Sequence, residues 1–276
     1  MKRTMVVMLF ASGLPAQGPN PVQDAKVDVG GYRLQFHVMP GESPSILVEA
    51  GGGDDSSTWR DTLPAVARKT GARLITYDRA GFGESDPNPD PYNITQEVEG
   101  LERGLKQLQV NGDLILVAHS YGGFLATLFA ARNPTEVKGL VLVDANLAPF
   151  FTDAVINAMV SLNRGSIEQL KKENPLKARA QDRMREAFSE TVHTMLKVTL
   201  QASLKVTDIV SEKPPPPPFN EAPGPGSAAW LQVHQEFDKA ASTHRGIIAT
   251  GSGHYIMRQR PDLLVDEIAA MFQAVQ

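Results

Sequence analysis

Hydrophobic positions along the chain fall into two kinds of run. The first kind is short, continuous and rich in Val, Ile and Leu. Ser45–Ala50, Ala72–Tyr77, Leu114–Ala118, Gly139–Val143 and Arg245–Thr250 read this way. Runs of that length and composition are strands buried on both faces of a parallel sheet. The second kind is spaced for one face of a helix. Ile94–Leu108 carries Val98, Leu101, Leu105 and Leu108 on one stripe, and Pro261–Val275 carries Leu263, Leu264, Ile268, Met271 and Phe272. Phe124–Ala131 is an apolar helical stretch ended by Asn133-Pro134, and Trp230–Ala241 is another helix. A helix opens at Thr58-Trp59 and continues through Pro64 to Lys69. Lys26–Val38 alternates around Gly30-Gly31 and predicts a hairpin ahead of the main sheet. Strands alternating with helices make an α/β fold: a mostly parallel central sheet with helices on both faces.

The pattern changes from Leu147 to about Ser211, where strand runs give way to helical spacing. Phe150–Leu162, Ile167–Lys172, Ala178–Phe188 and Val192–Leu200 read as helices, and Leu204–Val210 as one more. The expected organisation is a core of residues 26–146 and 214–276 with a helical cap inserted over 147–213. The Met and Phe residues of the cap are read as helix-packing core. Pro214–Pro218 and Pro223-Gly224-Pro225-Gly226 form a stiff crossing between cap and core.

Composition narrows the function. The 276 residues carry a net charge of −4 and no basic stripe, which argues against nucleic acid and anionic membrane as partners. The absence of cysteine excludes disulfides, thiolate metal sites and a Cys nucleophile. Lys2-Arg3, an apolar run from Met5 to Leu14 and then Pro15-Ala16-Gln17 have the layout of a secretory signal peptide over residues 1–16. The expected location is therefore periplasmic or secreted. That apolar run is too short to span a bilayer, and no cysteine follows it to take a lipid anchor.

The chemistry concentrates where a strand turns sharply into a helix, at Ala118-His119-Ser120-Tyr121-Gly122. A strand, a tight turn with Ser at its apex and a helix make a nucleophile elbow. The residues two before and two after the Ser must be small, and here they are Ala118 and Gly122. The Tyr121 N–H lies at a helix N-terminus, where partial positive charge favours an oxyanion. Gly51 and Gly52, at the carboxyl end of another strand, can present a second N–H, and Gly52 is the choice. A phosphate-binding role for Gly51-Gly52-Gly53 is disfavoured, because Asp54-Asp55 follow. Asp78-Arg79 and Ser85 read as a network that stabilises a turn.

A seryl nucleophile needs a base, and the base an orienting carboxylate. His254 follows the last strand in a Gly-rich loop, where its imidazole can swing over the rim. His119 neighbours Ser120 directly, so its side chain points away from the hydroxyl. The carboxylate should lie between Ser120 and His254 in the chain. Asp144 ends a core strand on the correct rim; Asp208, Glu212 and Glu221 are its rivals.

Taken together, Glu49–Trp59, Tyr77–Ser85, Ala118–Gly123, Leu140–Asp144 and Gly251–His254 resemble the α/β-hydrolase superfamily, from about Lys26 to Val275. The resemblance implies Ser120 as nucleophile, His254 as base and oxyanion donors from Tyr121 and the Gly51-Gly52 loop. Three departures stand out. Ala118 replaces the usual first Gly of the elbow, and Ala50-Gly51 stands where His-Gly is usual. The family also usually shows an apolar strand before a late acid; its apparent absence moves the acid to Asp144, a placement some members use. The implied activity is hydrolysis of a carboxylic ester on a small-molecule acyl substrate, with no metal or cofactor, by a monomer or a dimer. Lactone, amide or carbon–carbon hydrolysis, perhydrolysis and a ligand receptor with little turnover are the alternatives. Ser at the elbow disfavours dehalogenase and epoxide hydrolase chemistry, which use Asp there.

Overall fold

A computed structural model describes residues 22–214 and 224–276. The expected signal segment, Glu221 and Pro215 to Pro218 lie outside the described residues.

One sheet holds the eight strands of the described residues: β1 (Gln23–Asp28), β2 (Arg33–Met39), β3 (Glu42–Glu49), β4 (Ala72–Tyr77), β5 (Leu114–His119), β6 (Val137–Val143), β7 (Lys205–Ser211) and β8 (His244–Ala249). Their order is β1-β2-β4-β3-β5-β6-β7-β8. β1 and β2 form the expected antiparallel hairpin, with Val27 opposite Leu34. From β4 to β8 every neighbouring pair is parallel. The pleat then sends successive side chains to opposite faces. Leu114, Leu116 and Ala118 of β5 enter one apolar core, and Ile115 and Val117 enter the other.

Helices cover both faces. α1 (Leu63–Thr70), α8 (Ile256–Gln259) and α9 (Pro261–Ala274) bring Val66, Met257 and Leu264 to one core. On the other lie α2 (Ile94–Gln107), α3 (Gly122–Arg132) and α7 (Ala228–Lys239), with Leu101, Phe124 and Trp230. α2 shows how the sequence sets an element. The Asn93 side chain accepts from the backbone N–H groups of Thr95 and Gln96, capping the start. The buried stripe Val98, Leu101 and Leu105 then faces the sheet.

The insertion contains α4 (Asp153–Glu173), α5 (Pro175–Glu186) and α6 (Phe188–Met195). α4 is one helix where two were expected, because it continues through Gly165. The helix expected from Thr58 to Lys69 breaks instead into a 3-10 turn, Ser56–Trp59, and α1. The larger correction concerns Lys205–Ser211, expected as the end of the 147–213 cap. It is β7, paired between β6 and β8, so the sheet resumes at Lys205 rather than at 214. Its polar Thr207 and Asp208 interrupt the apolar run that announces the other strands. Both are nevertheless buried.

Candidate active site

β5 delivers Ser120 to the carboxyl end of the sheet, and α3 carries the chain away. Ser120 has φ +52, in the left-handed region that L side chains rarely adopt. The turn is closed by Asn146 N donating to Ser120 O at 2.8 Å and Ser120 N donating to Val143 O at 3.2 Å. Close approach explains the small residues: a Cβ on Gly122 would lie 2.6 Å from the Ala50 carbonyl oxygen.

The structure brings three of the expected residues into one line. His254 Nε2 lies 3.0 Å from Ser120 Oγ, and His254 Nδ1 lies 2.7 Å from Asp144 Oδ2. Asp144 follows β6 with φ +45 and is fully buried. Its carboxylate also accepts from Ser211 N at 3.0 Å, Ser211 Oγ at 2.8 Å and Trp230 Nε1 at 2.9 Å. Burial opposes the charge, but the bonds from His254 and Ser211 outweigh it and hold the carboxyl below its usual value. Asp144 is therefore ionised at neutral pH.

The rivals go elsewhere. Asp208 lies inside β7, bonded at 2.6 Å to His234 Nδ1. Glu212 is exposed and accepts from Gly251 N.

His119 does not bond Ser120, as its position in the elbow implies. Its Nε2–H donates to the His254 carbonyl at 3.0 Å, and the two imidazole rings are 4.5 Å apart. Burial first, and then the neighbouring His254, push His119 down to about 3, so it stays neutral. This brace under His254 has no signature in the sequence beyond adjacency to Ser120.

Gly52 and the start of α3 are in contact range, since a Cβ on Gly52 would come 3.2 Å from Tyr121 Cβ. The N–H groups of Gly52 and Tyr121 have no backbone acceptor among the described residues. Arg79, buried below the loop, fixes its orientation. Its Nη1 donates to Ala50 O at 3.0 Å and its Nη2 to Gly51 O at 2.5 Å. The Gly51 carbonyl and the Gly52 N–H belong to one trans peptide and point oppositely. Holding the carbonyl down on Arg79 therefore aims the Gly52 N–H away from it. Asp78 and Ser85 act as the turn network expected: Asp78 accepts from Ser56 N and Glu84 N, and Ser85 Oγ donates to Asp78 O.

A cavity of about 190 Å³ opens over Gly52, Ser120 and Tyr121. The cap roofs it with Met159, Val160, Ile167, Met184 and Phe188, and adds polar groups from Gln181 and Arg185. Met159 and Phe188, expected as packing core, thus also form the wall beside Ser120. Among the described residues no group of three His, Asp or Glu side chains is arranged to hold a metal. None of their helices is long and apolar enough to cross a membrane.

A family model for the alpha/beta hydrolase family matches residues 46–267, most of the chain. The chain belongs to the alpha/beta hydrolase family. The match takes in every strand from β4 to β8 and the elbow between β5 and α3. YqjL of Bacillus subtilis, an uncharacterized protein, is 36% identical over 115 residues, covering 41% of this chain and 45% of that one. The match thus spans less than half the length of that curated relative. Among solved structures, Cfl2 of Burkholderia cenocepacia has a TM-score of 0.64 at 20% identity, covering 91% of this chain and 96% of that chain. The haloalkane dehalogenase DatA of Agrobacterium tumefaciens has a TM-score of 0.66 at 14% identity, covering 93% and 98%. At such identities the likeness is one of fold.

Proposed function

We propose that this hydrolase cleaves small carboxylic esters through a Ser120–His254–Asp144 triad and an acyl-enzyme. The observation that carries the reading is the unbroken hydrogen-bonded line from Asp144 through His254 to the Ser120 hydroxyl, beneath the cavity.

In this mechanism Ser120 Oγ attacks the ester carbonyl while His254 Nε2 takes its proton. Asp144 holds the imidazole in the tautomer with Nδ1–H and stabilises the imidazolium that forms. The tetrahedral oxyanion lies between the N–H groups of Gly52 and Tyr121. Collapse expels the alcohol, protonated by His254, and leaves an ester on Ser120. Water then attacks that ester with His254 again as base. A second collapse returns the proton to Ser120 and releases the acid.

The cavity bears on size. At about 190 Å³ it is smaller than the 300–1,000 Å³ typical of sites for drug-sized ligands. Its apolar roof suits a short acyl or alcohol chain. Serine at the elbow separates the reading from the dehalogenase chemistry named for the structural neighbour.

Hydrolysis of 4-nitrophenyl acetate and butyrate tests the proposal. The expected result is saturable turnover that falls roughly 10³-fold or more in Ser120→Ala. A folded wild type inert toward short esters, or Ser120→Ala as active as wild type, would overturn it.

A further inference from the structure

Asp144 is held by more than its place at the end of β6. An ionised carboxylate accepts at about four positions, and all are filled here. Oδ2 takes His254 Nδ1 and Ser211 Oγ, and Oδ1 takes Ser211 N and Trp230 Nε1. The Trp230 contact comes from α7 and falls on Oδ1, the oxygen that His254 does not bond.

Trp230 is itself fixed on several sides. The Ser227 hydroxyl caps α7 by accepting from Trp230 N at 3.2 Å. Phe150 meets the indole edge-on with centroids 4.8 Å apart. One helical turn further on, the His234 ring lies 4.9 Å from the indole. His234 is buried and its Nδ1 lies 2.6 Å from Asp208 Oδ2 in β7. α7 and β7 are therefore joined twice. Trp230 and Ser211 meet on Asp144, and three residues back along β7 His234 meets Asp208. A helix pinned at two points one turn apart cannot slide or roll on its strand. The polar pair His234–Asp208 would otherwise be a costly thing to bury, and a fixed helix register is what it supplies.

We propose that Trp230 is a positioning residue for Asp144, holding the carboxylate plane toward His254, and that the His234–Asp208 pair sets the place of Trp230. The mechanistic side of this rests on the serine-hydrolase reading above. The hydrogen bond itself does not. An indole that merely filled space would tolerate loss of its N–H. A positioning indole would not.

Two measurements test it. The chain has two tryptophans, and Trp59 Nε1 is buried with no partner, so ¹⁵N-indole NMR offers an internal control. Asp144→Asn should shift the Trp230 indole N–H and leave that of Trp59 in place. Equal response of both, or of neither, would overturn the contact. The second measurement is Trp230→Phe, which keeps an aromatic ring but loses the donor. With one donor fewer, the Asp144 carboxylate is free to turn out of line with His254 Nδ1, and its bond to the imidazole weakens. The proton resonance of the His254 Nδ1–H, which reports that bond, should therefore move upfield, and kcat should fall roughly tenfold with KM little changed. The other titratable rings beside His254, His119 at 4.5 Å and Tyr255 at 5.6 Å, are the same in both proteins. His234→Phe should move that resonance the same way by a smaller amount. A lower Tm with the His254 Nδ1–H resonance and kcat unmoved in Trp230→Phe would reduce the indole to packing and overturn the proposal. Should Trp230→Phe not fold, the indole response to Asp144→Asn decides. A responding indole in a protein inert toward esters would remove the hydrolase mechanism and leave the positioning contact standing.

Discussion

Ser120 and Asp144 are both non-glycine residues at positive φ, and they face each other across the same imidazole. Backbone strain of this kind costs on the order of 1–3 kcal/mol per residue and survives only where the surroundings enforce it. Here the enforcement is steric and polar: α3 presses on β3 and on the turn after β6. A Cβ on Gly123 would lie 2.5 Å from Ala145 Cβ. Gly123→Ala should therefore destabilise the fold by about 1–3 kcal/mol, read as a lower Tm, with kcat falling as the elbow shifts. Asp144→Asn keeps the shape but reverses the imidazole tautomer, so kcat should fall by about 10³- to 10⁴-fold with the fold intact. Ser120 and His254 were legible in the sequence because their surroundings are steric necessities: small residues at an elbow, and a glycine-rich loop after the last strand. Asp144 was legible for a partly mistaken reason. The strand thought missing exists as β7, but the residue it brings to the rim is Ser211, a donor to Asp144. Its one carboxylate within the strand, Asp208, is committed to His234.

At the scale of elements, the loop after β3 is set by a side chain from the loop after β4. Arg79 is buried with Glu49 and Glu97 nearby, and it ties down the two carbonyls that precede the Gly52 N–H. Arg79→Gln should lower kcat by about 10- to 100-fold with a smaller change in KM, since the Gly52 N–H, the proposed oxyanion donor, is no longer held in place. Arg79→Lys should recover little, because a single ammonium cannot serve both carbonyls in the same geometry. Burial, opposed by Arg79 and by the hydroxyl of Tyr77, raises Glu49 to about 8. It is therefore mostly protonated at pH 7, and Glu49→Gln should leave Tm nearly unchanged there while Glu49→Ala lowers it. None of this was visible in the motif at Tyr77–Ser85 except as a turn network, because the partners lie 28 and 29 residues away in the chain. The cap was legible as helices by its spacing. Which of its apolar residues face Ser120 was not, because core and cavity walls draw on the same residue types.

Across the whole molecule, a histidine is one of the ties between the antiparallel hairpin and the loop after β4, beside the ion pairs of Lys26 and Arg33 with Asp86. His37 in β2 lies 2.6 Å from Asp24 in β1 and 3.8 Å from Asp78 after β4. Asp78 is the stronger influence despite the longer distance, because it is buried while Asp24 is largely exposed. Together, against the cost of burial, they raise His37 to about 9. The folded form then binds a proton that the unfolded chain releases near its ordinary value of about 6.5. The resulting stability is complete below about pH 6.5 and is lost as pH rises through 9. Calorimetry from pH 5 to 9.5 should show a fall in Tm over that window that is absent in His37→Gln. Equal slopes in the two proteins would remove His37 from the account. The overall architecture was legible because parallel strands and their covering helices have different hydrophobic periods. β7 escaped because two buried polar residues broke its pattern.

The central claim is that Ser120 is a nucleophile activated by His254 and Asp144, and covalent capture tests it most directly. A fluorophosphonate should add once to the wild type, with the mass increment on the peptide containing Ser120. It should not add to Ser120→Ala, and it should add slowly to folded His254→Ala and Asp144→Asn. A folded wild type that stays unmodified, or a Ser120→Ala variant modified as fast as wild type, would contradict the account.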